Sequence, residues 1–183
     1  DAFTRAVHSI ELNGVAVDTS AADGVRIRLD NLAEENWLTV VADAEYTNSG
    51  EGLHRFVDPV DGEVYLYSQF EVPDSRRVFA VFEQPDLKAS FSFTVTAPAH
   101  WQVVSNSPTP EPEPAAEGAA TWHFAPTPRI SSYITALVAG PYDVVRDSLT
   151  SRRGEVPLGI FCRKSLTPYL DSDNLFDLTK RGF

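Results

Sequence analysis

Gln69 and Glu71 stand two residues apart in the run Tyr65-Leu66-Tyr67-Ser68-Gln69-Phe70-Glu71, at the end of an alternating segment. Side chains at i and i+2 of a strand point to one face. The amide and the carboxylate are therefore expected to project together, on the face that carries Tyr65 and Tyr67. A carboxylate beside an amide and aromatic rings can grip a small cation such as a free α-amine, provided a second body closes over it. On residues alone, Gln69 and Glu71 fit a solvated strand end at least as well, and the two tyrosines fit ordinary packing on a sheet face.

Downstream, Asp74-Ser75-Arg76-Arg77 follows a proline. Arginines placed after a strand pair with nearby carboxylates in fork geometry, so Arg76 and Arg77 are assigned to holding the Gln69–Glu71 strand end in position. Glu83-Gln84-Pro85-Asp86 reads as the turn into the next strand, around Phe91.

No catalytic set is complete. His8, His54, His100 and His123 are scattered, and no two are spaced i, i+4 as helical zinc ligands are. Cys162 lies in an apolar strand and is expected to be buried and inert. There is no glycine-rich phosphate loop and no nucleophile-elbow pattern. A Ser-His-Asp constellation assembled by the fold stays open.

The elements that must position these residues are strands. Val25, Ile27 and Leu29 alternate with Arg26, Arg28 and Asp30, and Leu38 to Tyr46 carries a second apolar face. Ala89 to Ala97 alternates most clearly, with Phe91, Phe93 and Val95 opposed to serines and threonines. Further strands are expected at Trp101–Ser105, Thr121–Phe124, Ser132–Ala139 and Val156–Arg163. Turn signals separate them, among them Asn13-Gly14, Asp23-Gly24, Asp58-Pro59 and Asp61-Gly62. Short strands at this spacing, without helical crossovers, indicate an all-β antiparallel sandwich or curved, saddle-like sheet. The acidic, proline-rich stretch from Pro108 to Pro114 reads as an extended surface loop. From Thr167 the period becomes helical, with Thr167 as N-cap and Pro168 at the first helical position.

The 183 residues, 43% of them hydrophobic, suffice for one domain with a sizeable core. A formal net charge of -11 argues against nucleic acid and against an anionic membrane as partners. A single cysteine precludes an internal disulfide and fits a reducing, cytoplasmic setting. No apolar run approaches the ~18 residues that a membrane-spanning helix needs. Methionine is absent, even at position 1, so the chain is read as a piece of a larger protein.

The motif stretch resembles the amino-terminal domain of the zinc aminopeptidase N family, the gluzincin metallopeptidases. The residues that carry the likeness are Tyr67-Ser68-Gln69-Phe70-Glu71, Asp74-Ser75-Arg76-Arg77 and Glu83-Gln84-Pro85-Asp86-Leu87-Lys88-Ala89. Gly50 to Gly62, Val104 to Pro108, Thr127 to Tyr133 and Val138 to Tyr142 resemble its actinobacterial-type branch.

The resemblance implies a β-saddle domain over residues 1–164, lacking its first strands, and a truncated first helix of a thermolysin-like catalytic domain over 165–183. It implies that Glu71 anchors the substrate α-amine and that Gln69 lines the pocket for the first side chain. Zinc and the hydrolytic residues belong to the missing catalytic domain, a partner in cis. This stretch itself is expected to hold no metal, contain no catalytic residue and cleave nothing. The substrates implied are peptides with a free N-terminus. A non-catalytic recognition or scaffold module of the same fold family is the alternative, and intact Gln69 and Glu71 count against it.

Overall fold

A computed structural model describes residues 1–183. Chain order begins with β1 (Ala6–Leu12), β2 (Val15–Val17), β3 (Leu38–Asp43), β4 (Gly52–Val57), β5 (Val64–Gln69) and β6 (Thr94–Pro98). It continues with β7 (Gln102–Ser105), β8 (Glu113–Pro114), β9 (Ala119–His123), β10 (Leu137–Gly140), β11 (Asp143–Ser151) and β12 (Gly154–Cys162). One α-helix, α1 (Ser172–Gly182), ends the chain. No helix is long and apolar enough to cross a membrane.

Every named strand pair is antiparallel. The strands form four groups: β2-β1-β3, β4-β5-β10-β7, β6-β9-β8 and the ribbon β11-β12. The architecture is thus all-β antiparallel, as expected. Asn13 and Gly14 turn β1 into β2 with positive φ at both positions, the geometry that follows the right-handed twist of the flanking strands.

The core lies between two of these sheets. Leu66, Val103 and Ala139 of the four-stranded sheet meet Ala120, Trp122 and Phe124 on and just after β9. Each large apolar side chain sealed there contributes roughly 1.5–3 kcal/mol. Only 23 of the 183 residues are buried, so many large apolar groups stay in solvent, among them Trp37 at 76% and Phe82 at 76% exposed.

Several expected elements differ. Val25–Asp30 forms no strand. The Asp23 carboxylate accepts the backbone N–H groups of Val25 and Arg26 at 2.9 and 2.7 Å, closing a local turn. Backbone bonds of this segment then go to different partners, Ala2, Asp23 and Ala21, rather than to one ladder. The Ala89–Ala97 strand is regular only from Thr94. Its upstream half faces Ala125-Pro126-Thr127-Pro128, whose two prolines lack the donors a ladder needs. Thr127 bonds the Phe91 N–H through its hydroxyl instead. Ser132–Ile134 is a turn of 3-10 helix, and β10 starts only at Leu137. The acidic proline loop is irregular except where Glu113–Pro114 pairs with Thr121 and Ala120 at a sheet edge.

The tail departs from expectation too. Thr167 and Pro168 lie inside a 3-10 segment, Lys164–Tyr169, and the N-cap of α1 is Asp171, whose carboxylate accepts the Asn174 N–H at 3.2 Å. Thr167 donates its hydroxyl to Asp143 at 2.7 Å instead of capping. The helix lies against β11, where Lys180 pairs with Asp147 at 2.5 Å, and its one buried residue is Phe176, 6% exposed. Cys162 is half-buried, not sealed, because it ends β12 where the ribbon gives way to the 3-10 segment.

Candidate functional site

β5 sorts its side chains by alternation. Leu66 enters the core, and Phe70, just past the strand end, is buried against Phe79 at 5.8 Å between ring centroids. Tyr65, Tyr67 and Gln69 share the opposite side. Tyr65 is fully buried there under Tyr142, while Tyr67 is 41% exposed. Gln69 and Glu71 are both exposed, so neither is sealed inside the sheets.

Their relation is not the expected one. The strand ends at Gln69, and Glu71 lies in the turn beyond it. Strand alternation therefore does not set the direction of Glu71. Instead, the Gln69 side-chain carbonyl accepts the backbone N–H of Glu71, folding the turn back on the strand end. The Glu71 carboxylate takes part in none of the ion pairs of the chain.

A frame of charged groups holds this turn. Arg77 pairs through Nε with Asp74 at 2.6 Å and through Nη2 with Glu51 at 3.3 Å, and its guanidinium lies 5.0 Å from the Phe3 ring centroid. Asp74 is only 8% exposed, and that pairing supplies the counter-charge a buried carboxylate needs. Gly52 stands opposite Gln69 on the ladder at φ 60°, where a Cβ would meet Arg77 Cδ at 3.0 Å. Arg76 acts through its backbone: its N–H donates to Glu83 at 2.7 Å and its carbonyl accepts from Phe3 N–H at 2.7 Å. Of the two arginines, Arg77 is thus the side chain that braces the strand end. The half-buried Glu83 carboxylate also accepts the hydroxyls of Ser75 and Ser132, tying the segment after the turn to the 3-10 turn before β10.

The other end of β5 is tied to the tail. Buried Asp58 accepts from Ser165 Oγ at 2.6 Å and Val60 N–H at 2.9 Å, and pairs with Arg163 at 3.1 Å. The Ser165 hydroxyl above all, then the Val60 N–H, hold its carboxyl below the usual range, with Arg163 adding to them. The Tyr65 hydroxyl donates to Asp61 at 2.8 Å and accepts from Lys164 N–H at 3.1 Å. Burial pushes this phenol up to about 12. Burial does the same for Tyr142, whose hydroxyl donates to the Leu66 carbonyl at 3.3 Å.

The scattered histidines stay apart. His8 pairs with Asp43 at 3.0 Å, His123 with Glu113 at 3.7 Å, and His54 accepts from Gly50 N–H at 3.0 Å. Nowhere do three His, Cys, Asp or Glu side chains converge to hold a metal ion, so the residues of this chain by themselves do not fit zinc. Sequence reasoning missed three groups that shape the site: Glu51 as partner of Arg77, Glu83 as a hub and Asp58 as a tail anchor. Asp58 was legible only as part of an Asp-Pro turn, and its side-chain partners, Arg163 and Ser165, lie more than a hundred residues away.

What results is an exposed, unpaired carboxylate on a braced turn at a sheet end, in an all-β antiparallel domain. Residues 7–134 match the family model described as the Peptidase M1 N-terminal domain, and the chain belongs to that family. It is 57% identical to aminopeptidase N of Streptomyces lividans over 185 aligned residues, which cover 100% of this chain and 21% of that protein. It is 37% identical to aminopeptidase N of Acetobacter pasteurianus over 55% of this chain and 27% of that one. The chain thus spans about a fifth of the length of the first of these relatives, and its matched part covers 27% of the second. Among solved structures, Legionella pneumophila aminopeptidase A in complex with aspartic acid superposes with a TM-score of 0.71. It shares 18% identity, over 93% of this chain and 20% of that one, so the likeness is one of fold.

Proposed function

We propose that these residues form the substrate-anchoring domain of a zinc metallo-aminopeptidase, in which Glu71 binds the α-ammonium of the peptide and Gln69 lines the pocket beside it. The observation that carries this reading is the Glu71 carboxylate, exposed and free of any ion pair, on a turn tied to Gln69 and braced by Arg77. An ammonium 4 Å from a carboxylate gains about 4 kcal/mol at an effective dielectric near 20, and less where water reaches the pair. A contact of that size favours peptides with a free N-terminus over blocked or internal ones. Gln69 keeps Glu71 in place through its carbonyl and leaves its NH2 group for the substrate.

Family membership supports a peptidase as the parent, and the names of the relatives support aminopeptidase action. The zinc ion and its ligands would be supplied by sequence outside these residues, which alone would neither hold metal nor hydrolyse peptides. Apolar side chains left in solvent, such as Trp37 and Phe82, support a catalytic domain packed in cis. Residues 1–164 would form the β domain and 165–183 the start of that next domain. The lone Cys162 and the acidic charge support a cytoplasmic protein that binds neither nucleic acid nor membrane.

The test is made in the parent enzyme. Glu71→Gln, which keeps shape and removes charge, is expected to raise KM for amino-acid anilides and to lower kcat/KM by about 10²-fold. Wild-type kinetics would remove Glu71 from the site.

A further inference from the structure

We propose that His54 is a positioning residue for the amine-anchoring turn, acting through the loop Thr47–Glu51; the inference rests on the reading of Glu71 given above. His54 sits on β4 directly opposite Tyr67 on β5, is 9% exposed, and stacks on the Tyr67 ring at 4.7 Å with 28° between planes. Its Nδ1 accepts the Gly50 N–H at 3.0 Å. An imidazole nitrogen that accepts a hydrogen bond carries no hydrogen of its own, so Nδ1 serves the loop as an acceptor.

Gly50 belongs to a loop folded back on its own strand. Thr47 donates its N–H to the Leu53 carbonyl at 3.1 Å and accepts from Arg55 N–H at 2.8 Å, and its hydroxyl donates to the Glu51 carbonyl. These bonds fix the ends of the loop, while the His54 ring holds its tip. The same loop delivers Glu51 to Arg77 at 3.3 Å and leads into Gly52, the residue opposite Gln69. One chain of contacts therefore runs from His54 through Gly50 and Glu51 to Arg77, and from Gly52 to Gln69 and Glu71. His54 reaches the anchoring carboxylate by both routes without approaching it.

The experiment uses the parent enzyme and amino-acid anilides, with four variants: His54→Phe, His54→Gln, Glu71→Gln and the double variant His54→Phe with Glu71→Gln. Phe keeps the stack on Tyr67 and removes the acceptor, whereas Gln offers an amide oxygen to Gly50. Expected for His54→Phe is a KM raised about tenfold with kcat within about twofold, since loss of one buried hydrogen bond is worth about a factor of ten. Expected for His54→Gln is a KM restored to within about threefold of wild type. In the Glu71→Gln background, His54→Phe should add nothing, because its effect passes through that carboxylate. An unchanged KM in His54→Phe, a Gln variant no better than Phe, or a full tenfold effect retained without Glu71 would each overturn the inference while leaving the anchoring role of Glu71 intact. A Glu71→Gln enzyme with wild-type KM would remove the anchoring role itself.

Discussion

Arg77 fills the space that a side chain at Gly52 would need: a Cβ built on Gly52 stands 3.0 Å from Arg77 Cδ and 3.1 Å from Arg77 Cβ. The glycine is thus required twice, once for its φ of 60° and once for the arginine packed on it. Gly52→Ala is expected to lower stability by about 1–3 kcal/mol, from left-handed backbone strain and from displacement of Arg77. Thermal unfolding checks the first effect, and a rise in KM of the parent enzyme checks the second.

Removing the arginine tests the same brace from the other side. Arg77→Ala leaves Asp74, only 8% exposed, without its cation. The expected loss is about 1–3 kcal/mol, since a charge-assisted hydrogen bond disappears and a carboxylate stays partly desolvated. Arg77→Lys should recover only part of it, because an ammonium cannot reproduce the fork that meets Asp74 and Glu51 together. Denaturant melts of the three proteins rank them.

Acid should loosen the tail. Asp58 and Asp147 both titrate below the usual carboxyl range in the folded chain, Asp58 chiefly through the Ser165 hydroxyl and Asp147 chiefly through Lys180. On acidification the unfolded chain therefore takes up these protons first. Their contribution to stability is present above about pH 4 and is lost as the pH falls through the lower folded-state values. Asp58→Asn is expected to be less stable at pH 7 and to show a flatter fall between pH 5 and 3. Equal acid sensitivity in the two proteins would assign the loss to other groups.

Phe176 is the buried anchor of α1, and an isolated helix of 11 residues is marginal in water. Phe176→Ala is expected to cost about 3–5 kcal/mol of docking energy and to release the helix from the β11–β12 ribbon. Circular dichroism of the 183-residue chain would then lose its helical component while the β signal persists.

Legibility followed the range of the forces involved. Alternation in Leu38–Asp43, in the β5 run and in the β12 run marked three strands, because period-two burial is written locally. β11, with Arg146, Asp147 and Ser148 at its centre, carries little alternation and was missed, although it forms the longest ladder with β12. Val25–Asp30 alternates equally well and is no strand, since a strand exists only where a partner offers a complete edge. The prolines opposite Phe91 shortened another strand for the same reason.

At the site, the amino-acid sequence determined by itself which residues could do chemistry: an amide and a carboxylate at a strand end, followed by arginines. It also determined the all-β class, through short alternating runs and turn residues. Tertiary structure alone decided that the strand stops at Gln69, that Glu71 is held by the Gln69 side chain, and that Arg77 is gripped by Asp74 and Glu51. It alone brought Asp58 to Arg163 and Ser165. Side-chain polarity and spacing are properties of neighbouring residues, whereas a hydrogen bond across a hundred residues depends on loop closure and packing that no local pattern records.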